Sequence, residues 1–447
     1  MYSRKCYFFL FLTITLSTSI FTKTISNDND SAEKETWINV FFHGAVSISP
    51  ALSLETINKV KQDDLENTFY LEYVKNVRQN KFFSQNEPKQ EVGLIPVDTK
   101  KINIQNSAYA ISKLFDLQFL DTINYYYTFG WSGLMSDKAR SNDAKNFYLE
   151  FSKEIKKFHN NGIFPKVRLI GFSLGGPTCL SIAKIIKTEK LPILFYIDEL
   201  ILIATPIFEE ALTLVSEPIF KKIYNFYSGS DRVQVLDFSQ KNRHFSKQLF
   251  ESTKDFKIKD NLLQIKLEIL RPIKNKNGKI ILSPKWKPML PRHSVGIRKS
   301  SPGHCEWWFL QYTSTLYRNT FALTPLPAVA FIPTIINNLN NNKIEPKKIK
   351  LFDNKVTVKI RPFEDYMEIE SSRGKTKLNF LSKDKFNLFK DIVYNLNFTK
   401  ITGQMYAEKV GVEIEKAKIK IKNYNKNKKR EKKSKKNGYR KVFNQEK

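Results

Sequence analysis

The chain is short of cysteine, histidine, glycine and acid, and each shortage narrows what it can be. Its three cysteines are Cys6, Cys179 and Cys305. The first lies in an apolar leader; the other two are too few for a disulfide framework and wrongly spaced for a zinc site. Both read as small core residues. Beyond residue 21 no uncharged apolar stretch is long enough to span a membrane. Five histidines leave few candidates for proton transfer, and only 16 glycines are spread over 447 residues. Acid is outnumbered, with 44 Asp and Glu against 74 Lys and Arg and a net charge of +30. The excess is uneven: from Lys416 to Lys447 fifteen basic residues face two glutamates. What is plentiful is apolar and aromatic, 41% hydrophobic residues with 35 Phe and 19 Tyr, ample for a globular core.

The first residues, MYSRKCYFFLFLTITLSTSIFTKT, place Arg4 and Lys5 before an uncharged apolar run from Cys6 to Phe21. That is the charged and apolar pattern of a secretory signal peptide over residues 1–22, a little short for a spanning helix. Ser17-Thr18-Ser19 is the nearest approach to a small-residue cleavage site. The expectation is an exported protein, secreted or periplasmic, with an uncleaved membrane anchor as the alternative.

Residues 37–42, 124–129, 166–170, 199–204, 223–227 and 262–270 read as apolar strands. Between them lie helical patterns at 52–61, 65–78, 142–159, 178–188 and 208–216, and another helix is expected from Cys305 onward. Alternation of apolar strands with helices predicts an α/β fold, a mostly parallel sheet with helices on both faces, over residues 36–340. Residues 48–121 form a helical insertion after the first strong strand, cap- or lid-like in length. Short strands at 356–360, 366–371 and 377–381 predict a small appended α+β module over 343–410. The lysine-rich remainder, 411–447, is expected to be disordered.

Against the scarcity of glycine, LIGFSLGGPT at 169–178 sets three glycines around one serine. Gly171-Phe172-Ser173-Leu174-Gly175 matches G-x-S-x-G, which random placement would produce about 0.04 times in such a chain. A β-prone run precedes it, and Pro177 suits the first turn of the helix that follows. So sharp a turn from strand to helix forces the serine into strained backbone angles, and side chains at the flanking positions would collide. The pattern is that of a nucleophile elbow, with a glycine-rich connector as the plainer reading.

With VFFHGA at 40–45, LIATP at 202–206, YSGSDRV at 227–233 and PGHCEWW at 302–308, the chain resembles the α/β-hydrolase superfamily, and within it lipases and esterases. The likeness covers roughly residues 36–325 and implies the chain order Ser, Asp, His. It implies Ser173 as nucleophile, and the backbone N–H groups of Ala45 and Leu174 as donors to an oxyanion, with His43 holding that loop by hydrogen bonds. Asp231 is the favoured acid, four residues beyond an apolar strand, with an Asx turn as its plainer role. Asp198 lies at the wrong end of its strand, and Asp237 is the runner-up. For the base, His304 is favoured over His293, since Gly303 gives it a tight turn beside an apolar run; His159 and His244 fit less well.

The expectation is a serine hydrolase of carboxylic esters, lipid esters among them, with no metal or organic cofactor implied. Two rivals remain: an acyltransferase on the same scaffold, and a non-catalytic surface protein that binds anionic partners. The basic tail suits an anionic membrane surface ahead of nucleic acid, or serves only for solubility. Nothing in the sequence sets the oligomeric state.

Overall fold

The computed structural model describes residues 34–46, 54–84, 88, 91–98, 107–229, 231, 233–234, 246–283, 302–310, 323, 326–341, 354–361, 366–371, 374–395 and 403–443. The leader over 1–22 lies outside them. Seven neighbouring strands run parallel in a ten-stranded sheet, and the first six of them along the chain are β1 (Glu35–Phe42), β3 (Thr122–Gly130), β4 (Lys166–Phe172), β5 (Glu199–Ile203), β6 (Ile223–Tyr227) and β7 (Leu262–Ile269). Their order is β3-β1-β4-β5-β6-β7. A short strand, β2 (Gly93–Pro96), closes one edge antiparallel to β3. This mostly parallel sheet, covered by helices, is the expected α/β-hydrolase-like fold.

The strands read as continuous apolar runs because both faces are buried. In β1, Ile38, Val40 and Phe42 join one core with α4 (Asp137–Asn160) and α5 (Gly175–Thr188), while Phe41 points to the other. That second core holds α3 (Ser107–Asp116), Trp307, Trp308, α6 (Ile332–Asn341) and α7 (Lys383–Asn395). Helix α4 begins at an N-cap serine, Ser136, whose hydroxyl accepts from the Ala139 N–H, and it buries Phe147, Phe151, Ile155 and Phe158 on one stripe.

Four sequence expectations change. The stretch 48–121 is not one insertion: α1 (Leu54–Lys61) and α2 (Phe69–Gln79) pack on Val46 and Leu134, whereas α3 is the buried crossover between β1 and β3. Residues 343–410 are not a separate module. After a separate antiparallel pair, β8 (Arg271–Lys274) and β9 (Ile280–Ser283), strand β10 (Lys355–Arg361) pairs in parallel with β7, and β11 (Tyr366–Ser371) and β12 (Gly374–Asn379) extend the same sheet. Val356, Val358 and Ile360 bury into the core shared with β7, and 35–447 form one compact unit. Composition announces such strands but cannot say which edge they join. The pattern at 208–216 gives two 3₁₀ turns, Glu209–Ala211 and Leu214–Ser216, in place of a helix. Finally, the basic tail is helical as far as Phe443 in α8 (Gly403–Phe443), because its first turns have a partner: Val410, Ile414 and Ala417 pack on α2. Among the described residues no helix is long and apolar enough to cross a membrane.

Candidate active site

Strand β1 lies between β3 and β4, and the chain leaves β1 toward β3 but leaves the adjacent β4 toward β5, in opposite directions across the sheet. At such a switch the loops beyond the carboxyl ends of the strands part and leave a crevice. His43, Gly44 and Ala45 follow β1 there, and Ser173 follows β4.

Ser173 has φ +52°, left-handed for a residue with a side chain. The turn is pinned on both sides: the Ser173 N–H donates to the Ile203 carbonyl at 2.9 Å, and the Gly176 N–H donates to the Ser173 carbonyl at 3.0 Å. Close approach explains the glycines. A β-carbon on Gly175 would stand 2.6 Å from the His43 carbonyl oxygen, and one on Gly171 would stand 2.8 Å from the Gly176 Cα. The elbow helix thus starts against the end of β1, and the loop after β1 passes beside the serine. A β-carbon on Gly44 would meet the Ser173 Cβ at 3.1 Å.

Three residues far apart in sequence meet at this turn. His304 Nε2 lies 3.1 Å from Ser173 Oγ, and His304 Nδ1 lies 2.8 Å from Asp231 Oδ2. An ionised carboxylate only accepts, so Nδ1 carries the proton and Nε2 is left to accept from the serine hydroxyl. The Asp231 side chain is wholly buried and that of His304 keeps 13% exposure, so the relay runs from the interior to an accessible serine. His304 sits in a 3₁₀ turn, His304–Trp307, rather than the expected helix. The Glu306 carboxylate ties that turn by accepting from the Gly303 N–H at 3.0 Å. The ring of Phe172 packs between His304, 4.9 Å away, and Trp308, stacked at 5.1 Å.

Asp231 divides its carboxylate between two partners: Oδ1 accepts from the Gln234 N–H, three residues on, at 3.2 Å, while Oδ2 faces the histidine. Two glutamines that no motif announces hold this loop. Gln248 Nε2 donates to the carbonyls of Ser228 and Asp231, at 2.9 and 2.8 Å. Gln234 Nε2 donates to the Thr205 carbonyl at 2.7 Å. Sequence carries no signal for them, since their role is set by carbonyls on other loops.

The loop at 43–46 is held from β3. His43 is buried, with Nδ1 2.6 Å from the Gly44 carbonyl oxygen, and its ring stacks on Trp131 at 5.3 Å. Trp131 Nε1 donates to the His43 carbonyl at 2.8 Å, and the Val46 N–H donates to the Gly133 carbonyl at 3.0 Å. Trp131 is a further residue that sequence reading missed. Ala45 is half-buried, and Leu174 caps α5 with no side-chain hydrogen bond. Among the described residues, the backbone hydrogen bonds of these turns leave both N–H groups without a carbonyl acceptor. They stand at the start of a helix and beside its first turn, where N–H groups favour negative charge.

The other candidates fall elsewhere. Asp198 accepts from the Val167 N–H and pairs with Lys221, at the amino end of β4 and β5. His159 lies exposed at the end of α4. His293, His244 and Asp237 lie outside the described residues.

No family model matches the chain, and no curated protein matches it. It is similar to a solved structure described as a "putative cell surface hydrolase from Lactobacillus plantarum WCFS1", with 13% identity, covering 44% of this chain and 69% of that one at a TM-score of 0.20. So low a score carries no argument about function.

Proposed function

We propose that the protein is an exported serine hydrolase of carboxylic esters, acting through an acyl-enzyme on Ser173. The single observation that supports it most is the chain of contacts Ser173 Oγ, His304 Nε2, His304 Nδ1, Asp231 Oδ2, set on a serine in left-handed backbone. An unassisted serine hydroxyl is a weak nucleophile, and an adjacent base oriented by a third group activates it.

In the proposed reaction Ser173 Oγ forms a bond to the ester carbonyl carbon while its proton passes to His304 Nε2. The buried Asp231 carboxylate stabilises the imidazolium and keeps its tautomer. Charge collects on the former carbonyl oxygen, where the N–H groups of Ala45 and Leu174 donate; one such donor is worth about 10²–10³ in kcat in comparable sites. Collapse breaks the bond to the alcohol oxygen, which takes the proton from His304. Water then adds to the acyl carbon by the same route and frees the acid. Export rests on the leader at residues 1–22.

A fluorophosphonate probe tests the reading. Native protein labels on Ser173, while Ser173→Ala does not label and His304→Ala labels far more slowly. A well-folded native chain that stays unlabelled would remove the proposal.

A further inference from the structure

Helix α8 carries fourteen Lys and Arg and one acid, Glu431, between Lys416 and Phe443. Among the described residues, its ion pairs, hydrogen bonds and buried contacts to the rest of the molecule lie near its start. Lys420 Nζ lies 2.5 Å from Glu72 of α2, Asn80 donates to Glu413 at 2.9 Å, and Ala417 is buried. From there the side chains of residues 422–434 are exposed.

Basic residues occur on every side of the helix, and four of them line up on the side that meets α2. Lys418, Lys422, Lys426 and Lys429 follow helical spacing and so share a face. Together they line an open groove of about 680 Å³ whose apolar floor is Phe69, at the start of α2, and Ile421 of α8. Both floor residues are half-buried, and all four lysines are exposed. Beside them Ile419 is 59% exposed, an apolar side chain between ammonium groups.

We propose that this groove and the α8 face around it form a docking site for anionic phospholipid at a bilayer surface. Charge complementarity requires a negatively charged partner, and the floor narrows the choice. Phe69, Ile421 and Ile419 offer contact to the glycerol and acyl region, while the lysine stems lie along apolar surface with their charges at the phosphates. A polynucleotide would be suited by arginine forks and aromatic stacking platforms. Instead, the face is built of lysine, a point charge that asks no fixed geometry of a headgroup phosphate. The site makes no use of Ser173, so it stands apart from the hydrolase reading.

The test is co-sedimentation of the full chain with vesicles of phosphatidylcholine containing 30% phosphatidylglycerol, against pure phosphatidylcholine. Native protein and Ser173→Ala should both bind the anionic vesicles alone and be released as salt is raised. Lys422→Glu with Lys426→Glu should weaken binding at least about tenfold, whereas Lys428→Glu with Arg430→Glu, an equal change of charge off the groove, should weaken it less than about threefold. Ile421→Ser should weaken it with no change of charge. Equal losses from the two charge pairs, no binding by native protein, or tighter binding of single-stranded polynucleotide than of anionic vesicles at equal salt would each overturn the proposal. Labelling of Ser173 is read separately and decides only the hydrolase reading.

Discussion

Gly176 lies so close to Thr205 that a β-carbon on it would stand 2.2 Å from the threonine Oγ1. The elbow helix is thereby locked onto the loop after β5, the loop that Gln234 also ties to Asp231. Gly176→Ala should therefore lower stability by about 1–3 kcal/mol, as overpacking does. Gly411 on α8 has nothing within 4 Å of the equivalent position. Gly411→Ala should be neutral or stabilising, by up to about 1 kcal/mol of helix propensity. Urea midpoints of the two variants test the contrast, and equal shifts would count against the close packing.

Ser173 bears the strain of its own position. Ser173→Ala should keep the left-handed backbone and its cost, while Ser173→Gly should relieve about 1–2 kcal/mol of it. Greater chain freedom in the unfolded glycine variant offsets roughly 0.5–1 kcal/mol of that gain. Both variants should be inactive, with the glycine variant melting higher. A lower melting temperature for glycine than for alanine would show that the φ of +52° stores no strain.

The relay should fail in a graded way. Ser173→Ala and His304→Ala should lose similar amounts of kcat on a p-nitrophenyl ester, because they act as one unit. Asp231→Asn keeps an acceptor for the Gln234 N–H but offers an amide to His304, so the fold should survive with kcat reduced by roughly 10⁴. His293→Ala should stay within a few-fold of native activity. An inactive His293→Ala beside an active His304→Ala would move the base to His293.

A pH effect on stability should arise away from the relay. Burial pushes the Asp143 carboxyl above its ordinary value, partly offset by hydrogen bonds from the Ser132 hydroxyl and N–H. A carboxyl that holds its proton more tightly in the folded state favours folding below its unfolded value, about 3.9. That contribution is lost as pH rises through the raised folded value. Asp143→Asn keeps an acceptor for Ser132 and cannot ionise. Its stability relative to native protein should therefore rise from pH 4 to pH 7, measured by denaturant midpoints. A native advantage that grows with pH would reverse the sign and refute the burial argument.

Much of this was legible in the chain because it is local. G-x-S-x-G between a β-prone run and Pro177 specifies an elbow, since only glycine fits where β4, α5 and the end of β1 meet. Strand 223–227 and strand 366–371 were legible to the residue, since apolar runs and alternation are properties of neighbours. Asp231 and His304 were legible as loop residues beyond strands. That they lie on one line with Ser173 across 131 residues was decided by the sheet, which brings the ends of β4 and β6 to one edge. The supports were not legible at all: Gln248 and Gln234 act on carbonyls of distant loops, and Trp131 on the carbonyl of His43. Tertiary structure likewise decided that β10 pairs with β7, and that α2 gives the basic helix a partner. An edge and a groove exist only where separate segments meet. Sequence determined which residues are candidates for the chemistry, because residue type and local backbone do not depend on distant partners. Folding determined which of them touch, because contact across such distances is a property of the sheet.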